Sequence, residues 1–352
     1  MTTKTRAQRR PKKLLQAQLS RALGVSGDSI TKRFGSEAAS RSYREESVSI
    51  VAALEEYVAN KGKDVSNPTE AIQAAGGYST VSDAFLEAAD LLVREAYGRV
   101  SQVVRTIAAP VGLQNFREYV SHYLEQEGTF ARVGPTGELS SSSMSGTGGM
   151  TNQIDTRGQA LRVPRQTVIN DDVGVIAKIL TDLAKRGAFA VEQALIEAIV
   201  DPDGTFFTSD RGNLLTGKSL QASNLALAQA ALWAQSDANG LPIYARPAIL
   251  LVPPSLYWTA VELFRGMPPE DRLKVVTSPY LESAKVEGSS STTWYVIADP
   301  SVLPALQVAY LGTKRRPTVE TAMLGIDGLR MRGYFDFGVR AIEYRAGVKV
   351  TA

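Results

Sequence analysis

Residues Gly212–Ser219 read GNLLTGKS and satisfy the spacing G-x-x-x-x-G-K-[ST]. In a phosphate-binding loop of that spacing the glycines let backbone N–H groups wrap phosphate oxygens. Lys218 would reach the terminal phosphates and Ser219 would hold Mg²⁺. Such a loop also requires a buried strand running into its first glycine. The segment before Gly212 is FFTSDR, which ends in polar and charged residues. That favours a turn ahead of a helix, with a P-loop nucleotidase at Gly212–Ser219 as the enzyme-class alternative.

Other catalytic chemistry has little to work with. The chain has no cysteine and one histidine, His122. Thiolate chemistry, disulfides and a His/Cys zinc site are thereby excluded. A Ser-His-Asp triad would have to use His122, and no nucleophile elbow accompanies it. Asp171 and Asp172 are adjacent acids at a helix start, where acids cap the helix and face its positive end more often than they bind metal. The expectation is a non-enzyme with no cofactor and no metal. Gln18–Phe34, QLSRALGVSGDSITKRF, is similar to a helix-turn-helix, with Leu19, Leu23, Ile30 and Phe34 as packing residues and Ser29, Thr31, Lys32 and Arg33 free to meet a groove or phosphates. Isolated matches of this kind are frequent, and a helical pair without base readout is the favoured reading.

Charge is unevenly distributed. Residues 1–44 hold eleven Lys and Arg against two acids, a net +9, while the remainder holds 28 basic and 34 acidic residues, a net −6. A basic arm on an acidic body points to a polyanion on one side of the molecule. The 352 residues are 44% hydrophobic and 21% charged, enough for two or three compact lobes. No apolar run reaches the ~18 residues of a membrane span, and no apolar segment follows the basic N-terminus as in a secretory signal.

The elements that would carry these residues read as follows. Residues 1–13 look disordered. Helical spacing follows to Phe34 with a break at Gly24–Ser26, then again around Val48, Val51, Leu54 and Val58, over a short NPTEAIQAAGG segment, and around Phe85, Ala88, Ala89 and Leu92. From Phe116 the period changes to that of strands, and a Ser/Gly run, Ser140–Asn152, interrupts before QALRVPRQTVI alternates again. This predicts an extended hairpin with the Ser/Gly run at its tip or flank. The longest helix signal is INDDVGVIAKILTDLAKRGAFAVEQALIEAIV, about 30 residues, with an apolar stripe through Val173, Ile176, Leu180, Leu183, Ala188, Val191, Leu195 and Ala198. Asn170 or Asp171 would cap it, and Gly187 interrupts it at a cost of about 1 kcal/mol against Ala. At 1.5 Å per residue it would reach about 45 Å, long enough for a spine. From residue 219 helices and strands alternate into a strand-rich end, giving an α+β chain.

From about Tyr43 onward the sequence resembles the major capsid proteins of tailed phages, closest to the Mu-like major head subunit type. The resemblance rests on an ordered series: SYREESVSIVAALEEYVANKGKD, STVSDAFLEAADLLVREAYGRV, LRVPRQTVINDDVGVIAKI, FFTSDRGNLLTG, PAILLVPPSLYWTAVELF, TWYVIADP, LQVAYLGTKRRPTVET and YFDFGVRAIEYR. It implies the Johnson fold, in which the Gly-Asn-Leu turn occurs without the Lys-Ser that completes the nucleotide-loop spacing here. It also implies a division into a basic N-terminal helical, scaffold-like segment (1–65), an N-terminal arm (66–115), an extended loop (116–160), a peripheral domain with the spine helix (161–218), a mainly axial domain (219–312) and returning peripheral strands (313–352).

The resemblance further implies self-assembly into hexamers and pentamers of an icosahedral shell around double-stranded DNA, in a virion whose parts are made in the host cytoplasm. Portal and scaffold or decoration proteins would be partners, and no membrane is involved. Phe116, Tyr119, Tyr123, Phe130, Arg132, Met144 and Met150 would belong to the loop that overlaps a neighbouring subunit. Arg6, Arg9, Arg10, Lys12, Lys13, Arg21, Lys32 and Arg33 would face DNA by non-specific contact. Some relatives cross-link through a lysine of this loop. None lies between Lys63 and Lys178, so a non-covalent shell is expected. An encapsulin-like compartment is the alternative within the same fold.

Overall fold

A computed structural model describes residues 3–43, 50–59, 79–100, 103–126, 144–164, 166–167, 170, 173–237, 240–325 and 328–352. The NPTEAIQAAGG segment and the Asp171–Asp172 pair lie outside these residues. The chain divides into two units: residues 1–101, 156–189 and 314–336 in one, and residues 102–155, 190–313 and 337–352 in the other.

The first unit is built on helices. α1 (Thr3–Ala22), α2 (Gly27–Phe34), α3 (Ser36–Ser42) and α4 (Ile50–Ala59) precede α5 (Ser79–Arg99). The segment read as disordered from its charge is instead the first half of α1. Its Ala, Gln, Arg and Lys residues are strong helix formers, and they extend a turn already nucleated by the buried second half. Every residue from Leu14 to Ser20 is buried, as in a helix enclosed on all sides. Gly24 (φ +81°) ends α1, and the Ser26 hydroxyl caps α2 by accepting from the Ser29 N–H. Helix α5 packs against α1 and also against strand β10 (Thr318–Gly325), so Phe85, Ala88, Ala89, Leu92, Val93 and Tyr97 are all buried.

Strand β11 (Gly328–Ala341) pairs antiparallel with β10, with a bulge between Glu320 and Met323, and also pairs with β4 (Asp155–Pro164). The long helix α7 spans Val173–Val200, 28 residues. In this unit its Ile176, Leu180, Leu183 and Ala184 are buried. Gly187 and Gly333 are sites of close approach: a Cβ on Gly187 would meet Pro317 Cγ at 2.2 Å, and one on Gly333 would meet the Leu183 side chain at 2.4 Å.

The second unit is built on sheets. The mixed order β5-β12-β8-β6-β7 joins Leu214–Leu215, Gly347–Val350, Trp294–Ala298, Pro247–Val252 and Lys274–Thr277. All five residues of β8 are buried, as expected of a strand covered on both faces. Helices α8 (Ala222–Trp233) and α9 (Tyr257–Leu263) contact this sheet. Apart from it, β1 (Ala108–Leu113), which follows the short helix α6 (Val103–Ile107), runs parallel to β9 (Leu306–Leu311). The last five residues of β11 pair antiparallel to β9. A separate two-stranded hairpin consists of β2 (Tyr119–Gln126) and β3 (Met144–Asn152). The boundaries of compact packing differ from those read in the sequence. Residues 190–218 and 337–352 pack with 219–312, because β5 and β12 are strands of the same sheet as β6 and β8.

Candidate assembly surfaces

Within the Ser/Gly run the described residues, Met144–Asn152, form a strand. Residues Met144–Asn152 pair antiparallel with β2, from Tyr119↔Asn152 to Gln126↔Met144. Tyr123 lies on β2 and Met144 on β3, while Phe130 and Arg132 lie outside the described residues. At the base of the hairpin Phe116 and Val120 are exposed, and Met150 is half-buried. The Tyr119 hydroxyl bonds the Gln307 side chain of β9, and Gln153 Nε2 donates to the Phe116 carbonyl at 3.1 Å. Backbone pairing within the ribbon satisfies chain polarity that a Ser/Gly segment could not bury by itself.

The cationic residues fall into two groups. Arg6, Arg9 and Arg10 lie on the first half of α1, and Lys13 and Lys32 are exposed. The others are held by their own chain. Lys12 pairs with Asp83 at 3.6 Å, and Arg33 reaches Glu87 through Nε and NH2 at 3.0 and 2.7 Å. Arg21 donates to the Ser42 carbonyl and lies 4.5 Å over the Tyr43 ring. Gln16 also bonds Glu87, and the Ser26 N–H donates to Glu95 at 3.0 Å. Asp83, Glu87 and Asp90 follow one another at helical spacing along α5, and Asp90 takes a two-pronged bond from Arg316 at 2.6 and 2.7 Å. The Gln18–Phe34 segment is therefore a helical pair with Ile30 and Phe34 turned inward and Arg33 committed to Glu87.

Gly212–Ser219 is not a phosphate cradle. Leu214 and Leu215 form β5 and pair with Lys349 and Val350 of β12. The Lys218 N–H donates to Thr351 O at 2.9 Å, the Gly212 N–H donates to Ser209 O at 2.9 Å, and helix α8 starts only at Ala222. The Gly212 and Lys218 amides are thus committed to this sheet edge and its turn, and Leu214 and Leu215 to strand pairing. Buried Asn213 organises the turn. Its Oδ1 accepts from the Thr208 N–H at 2.8 Å, and its Nδ2 donates to the carbonyls of Phe206 and Tyr344 at 3.1 and 3.0 Å. This geometry speaks against the nucleotidase alternative. Among the described residues no group of three His, Cys, Asp or Glu is placed to hold a metal ion, and no helix is long and apolar enough to cross a membrane.

The sequence reading missed a set of exposed large side chains in the sheet unit: Leu227 and Trp233 on α8, Leu241 and Tyr244 after it, and Trp258 on α9, which is 73% exposed. Tyr244 adopts φ +52°, sparsely populated for a bulky residue. Aromatic residues in apolar runs look like core in a sequence, and nothing in their spacing separates these from buried Trp294 and Tyr295.

A family model described as phage capsid protein matches residues 149–350, from within β3 to the last residue of β12. This chain belongs to the phage capsid protein family. The capsid protein is thus a structural component of a virion, and it associates with copies of itself into a shell. Its mixed helices and sheets, with the long helix ahead of the sheet strands, are the α+β capsid architecture that the resemblance implied. No curated protein sequence matches it. Among solved structures, the capsid of the cyanophage P-SCSP1u aligns at 14% identity and TM-score 0.47, over 72% of this chain and 89% of that chain. A structure of Mycobacterium phage Adephagia aligns at 12% identity and TM-score 0.42, over 74% and 89%. The SrpI encapsulin complex of Synechococcus elongatus aligns at 10% identity and TM-score 0.46, over 71% and 86%.

Proposed function

We propose that this capsid protein forms hexamers and pentamers of an icosahedral tailed-phage or prophage head that encloses double-stranded DNA. Within the family, the ordered INDD-x-G, D-x-GNL and YFDFGVRAIEYR segments favour the Mu-like head subunit type. The observation that carries the reading is the β2–β3 ribbon, a two-stranded sheet of its own with Phe116 and Val120 exposed at its base. A two-stranded ribbon is marginal alone in water. Laid over a neighbouring subunit it gains the contacts it lacks, and the ordering cost is offset at that interface. The unit containing β10, β11 and the first part of α7 serves as the peripheral domain, and the unit containing the five-stranded sheet as the axial domain. The basic half of α1 faces the packaged DNA. The shell is non-covalent, and portal and scaffold or decoration proteins join it after synthesis in the host cytoplasm.

Electron microscopy of the purified protein tests the assembly, and nuclease treatment of the particles tests the contents. Capsids, tubes or capsomers holding nuclease-resistant DNA are the expected outcome. A monodisperse monomer at all concentrations defeats the reading, and closed shells that hold protein cargo without nucleic acid convert it to the encapsulin-like alternative.

A further inference from the structure

Gly338 of β11 lies in register with Ala309 of β9, so two of the smallest residues stand side by side in the sheet. The main chain leaving the β2–β3 ribbon crosses it. A Cβ built on Gly338 would lie 1.8 Å from Gln153 O, 2.7 Å from Gln153 C and 3.0 Å from Asn152 Oδ1. The first two of these atoms belong to the backbone, so no rotamer change relieves the contact. The requirement is for space rather than for an unusual dihedral, since Gly338 is not among the residues with positive φ.

Further contacts hold the crossing in place. Asn152 and Ile154, on either side of Gln153, are buried. Tyr119, opposite Asn152, bonds Gln307, two residues along β9 from Ala309. Gln153 Nε2 closes onto the Phe116 carbonyl. The ribbon is therefore seated on β9 and β11 where Gln153 crosses Gly338 and where Tyr119 reaches Gln307.

We infer that Gly338 is a positioning residue for assembly: it is the seat that sets the direction in which the ribbon leaves its own subunit. The inference rests on the reading of the ribbon as the arm that overlaps a neighbour. An alanine there has to displace Gln153 by about 1.6 Å to restore ordinary van der Waals separation. The eight residues of β2 extend about 27 Å at 3.4 Å per residue, so a small tilt at the seat becomes a large displacement at the far end.

The test compares the wild-type chain, Gly338→Ala, Tyr119→Phe and a variant with residues 127–143 replaced by a short turn. Each is followed by thermal melting and by particle yield and diameter in electron micrographs. Gly338→Ala is expected to melt at a lower temperature than wild type but still as a folded protein, and to give roughly tenfold fewer closed shells, or misshapen ones, a loss larger than the fall in folded fraction accounts for. Tyr119→Phe keeps the glycine and loses only the second anchor, and it is expected to broaden the diameter distribution. Closed shells of wild-type yield and diameter from Gly338→Ala overturn the inference. If Gly338→Ala does not fold, uniform wild-type shells from Tyr119→Phe overturn it instead, because the glycine then serves folding alone. Normal assembly of the shortened variant overturns the overlap reading itself, a result distinct from either of these.

Discussion

Glu192 lies on α7 with its carboxylate 2.5 Å from the hydroxyl of fully buried Ser278, and the phenol of Tyr280 stands nearby. Burial pushes its pKa above the ordinary glutamate range, and the Ser278 hydrogen bond opposes that shift only in part. The folded-state value is the higher one, so ionisation works against the fold. The penalty is absent below the ordinary glutamate value, grows as pH rises towards the folded value and then levels off. Glu192→Gln is therefore expected to raise the melting temperature at pH 8 and to lose that advantage at pH 4. An equal change at both pH values would show that ionisation of this carboxyl is not linked to folding.

Asp201, which follows the last residue of α7, is also buried, but it receives the N–H groups of Thr205, Phe206 and Phe207 at 3.1, 2.8 and 2.8 Å. Neither acid was legible in the sequence. Glu192 sits beside apolar residues as any surface acid of an amphipathic helix does, and its partner Ser278 is distant in the chain, whereas Asp201 follows the end of α7 and is held by amides four to six residues on.

At the scale of elements, periodicity carried most of the fold. The α7 helix, the buried β6 and β8 strands and the ribbon strand β2 occur where apolar spacing and turn residues place them, whereas β3 is the Ser/Gly run itself, which has no apolar alternation to announce a strand. What failed to show was pairing over long separations. Leu214–Leu215 counts as a strand only because Lys349 and Val350 lie beside it, and without that knowledge the same residues spell a nucleotide loop. Gly187 is a similar case, reading as a defect in α7 until Pro317 is seen against it. Gly187→Ala gains about 1 kcal/mol of helix propensity. It also forces a Cβ to 2.2 Å from a rigid proline ring, and overpacking of that kind costs about 1–3 kcal/mol. The expected result is a lower midpoint in chemical unfolding. A raised midpoint would show that the Pro317 segment yields without cost.

For the whole molecule, the N-terminal cations are presented by a mounted helix rather than by a loose tail. The burial of Leu14–Ser20, Leu23, Ile30 and Phe34 fixes α1 and α2 in the helical unit, and the acids of α5 hold Lys12 and Arg33. The charge imbalance was legible in the sequence. The division of labour within it was not, because ion pairing depends on which helix lies alongside. Deleting residues 1–11 removes Lys4, Arg6, Arg9 and Arg10 and is expected to leave the melting temperature unchanged. The same deletion should flatten the salt dependence of DNA binding by a slope of up to roughly 3–4. Deleting residues 1–40 is expected to lower the melting temperature as well, by exposing the apolar face of α5. An unchanged salt slope in the shorter deletion would remove DNA contact from the role of α1.

The three tryptophans occupy contrasting surroundings. Trp294 is fully enclosed and gives its indole N–H to Lys218 O at 3.2 Å, while Trp233 and Trp258 meet water. Indole emission moves to longer wavelength as water reaches the ring, so the chain carries two optical channels of its own. A red shift follows loss of the enclosed ring's shelter on denaturation, and a blue shift is the signature of any partner surface that covers either of the other two. One excitation beam can thus tell such covering apart from unfolding, with no dye attached.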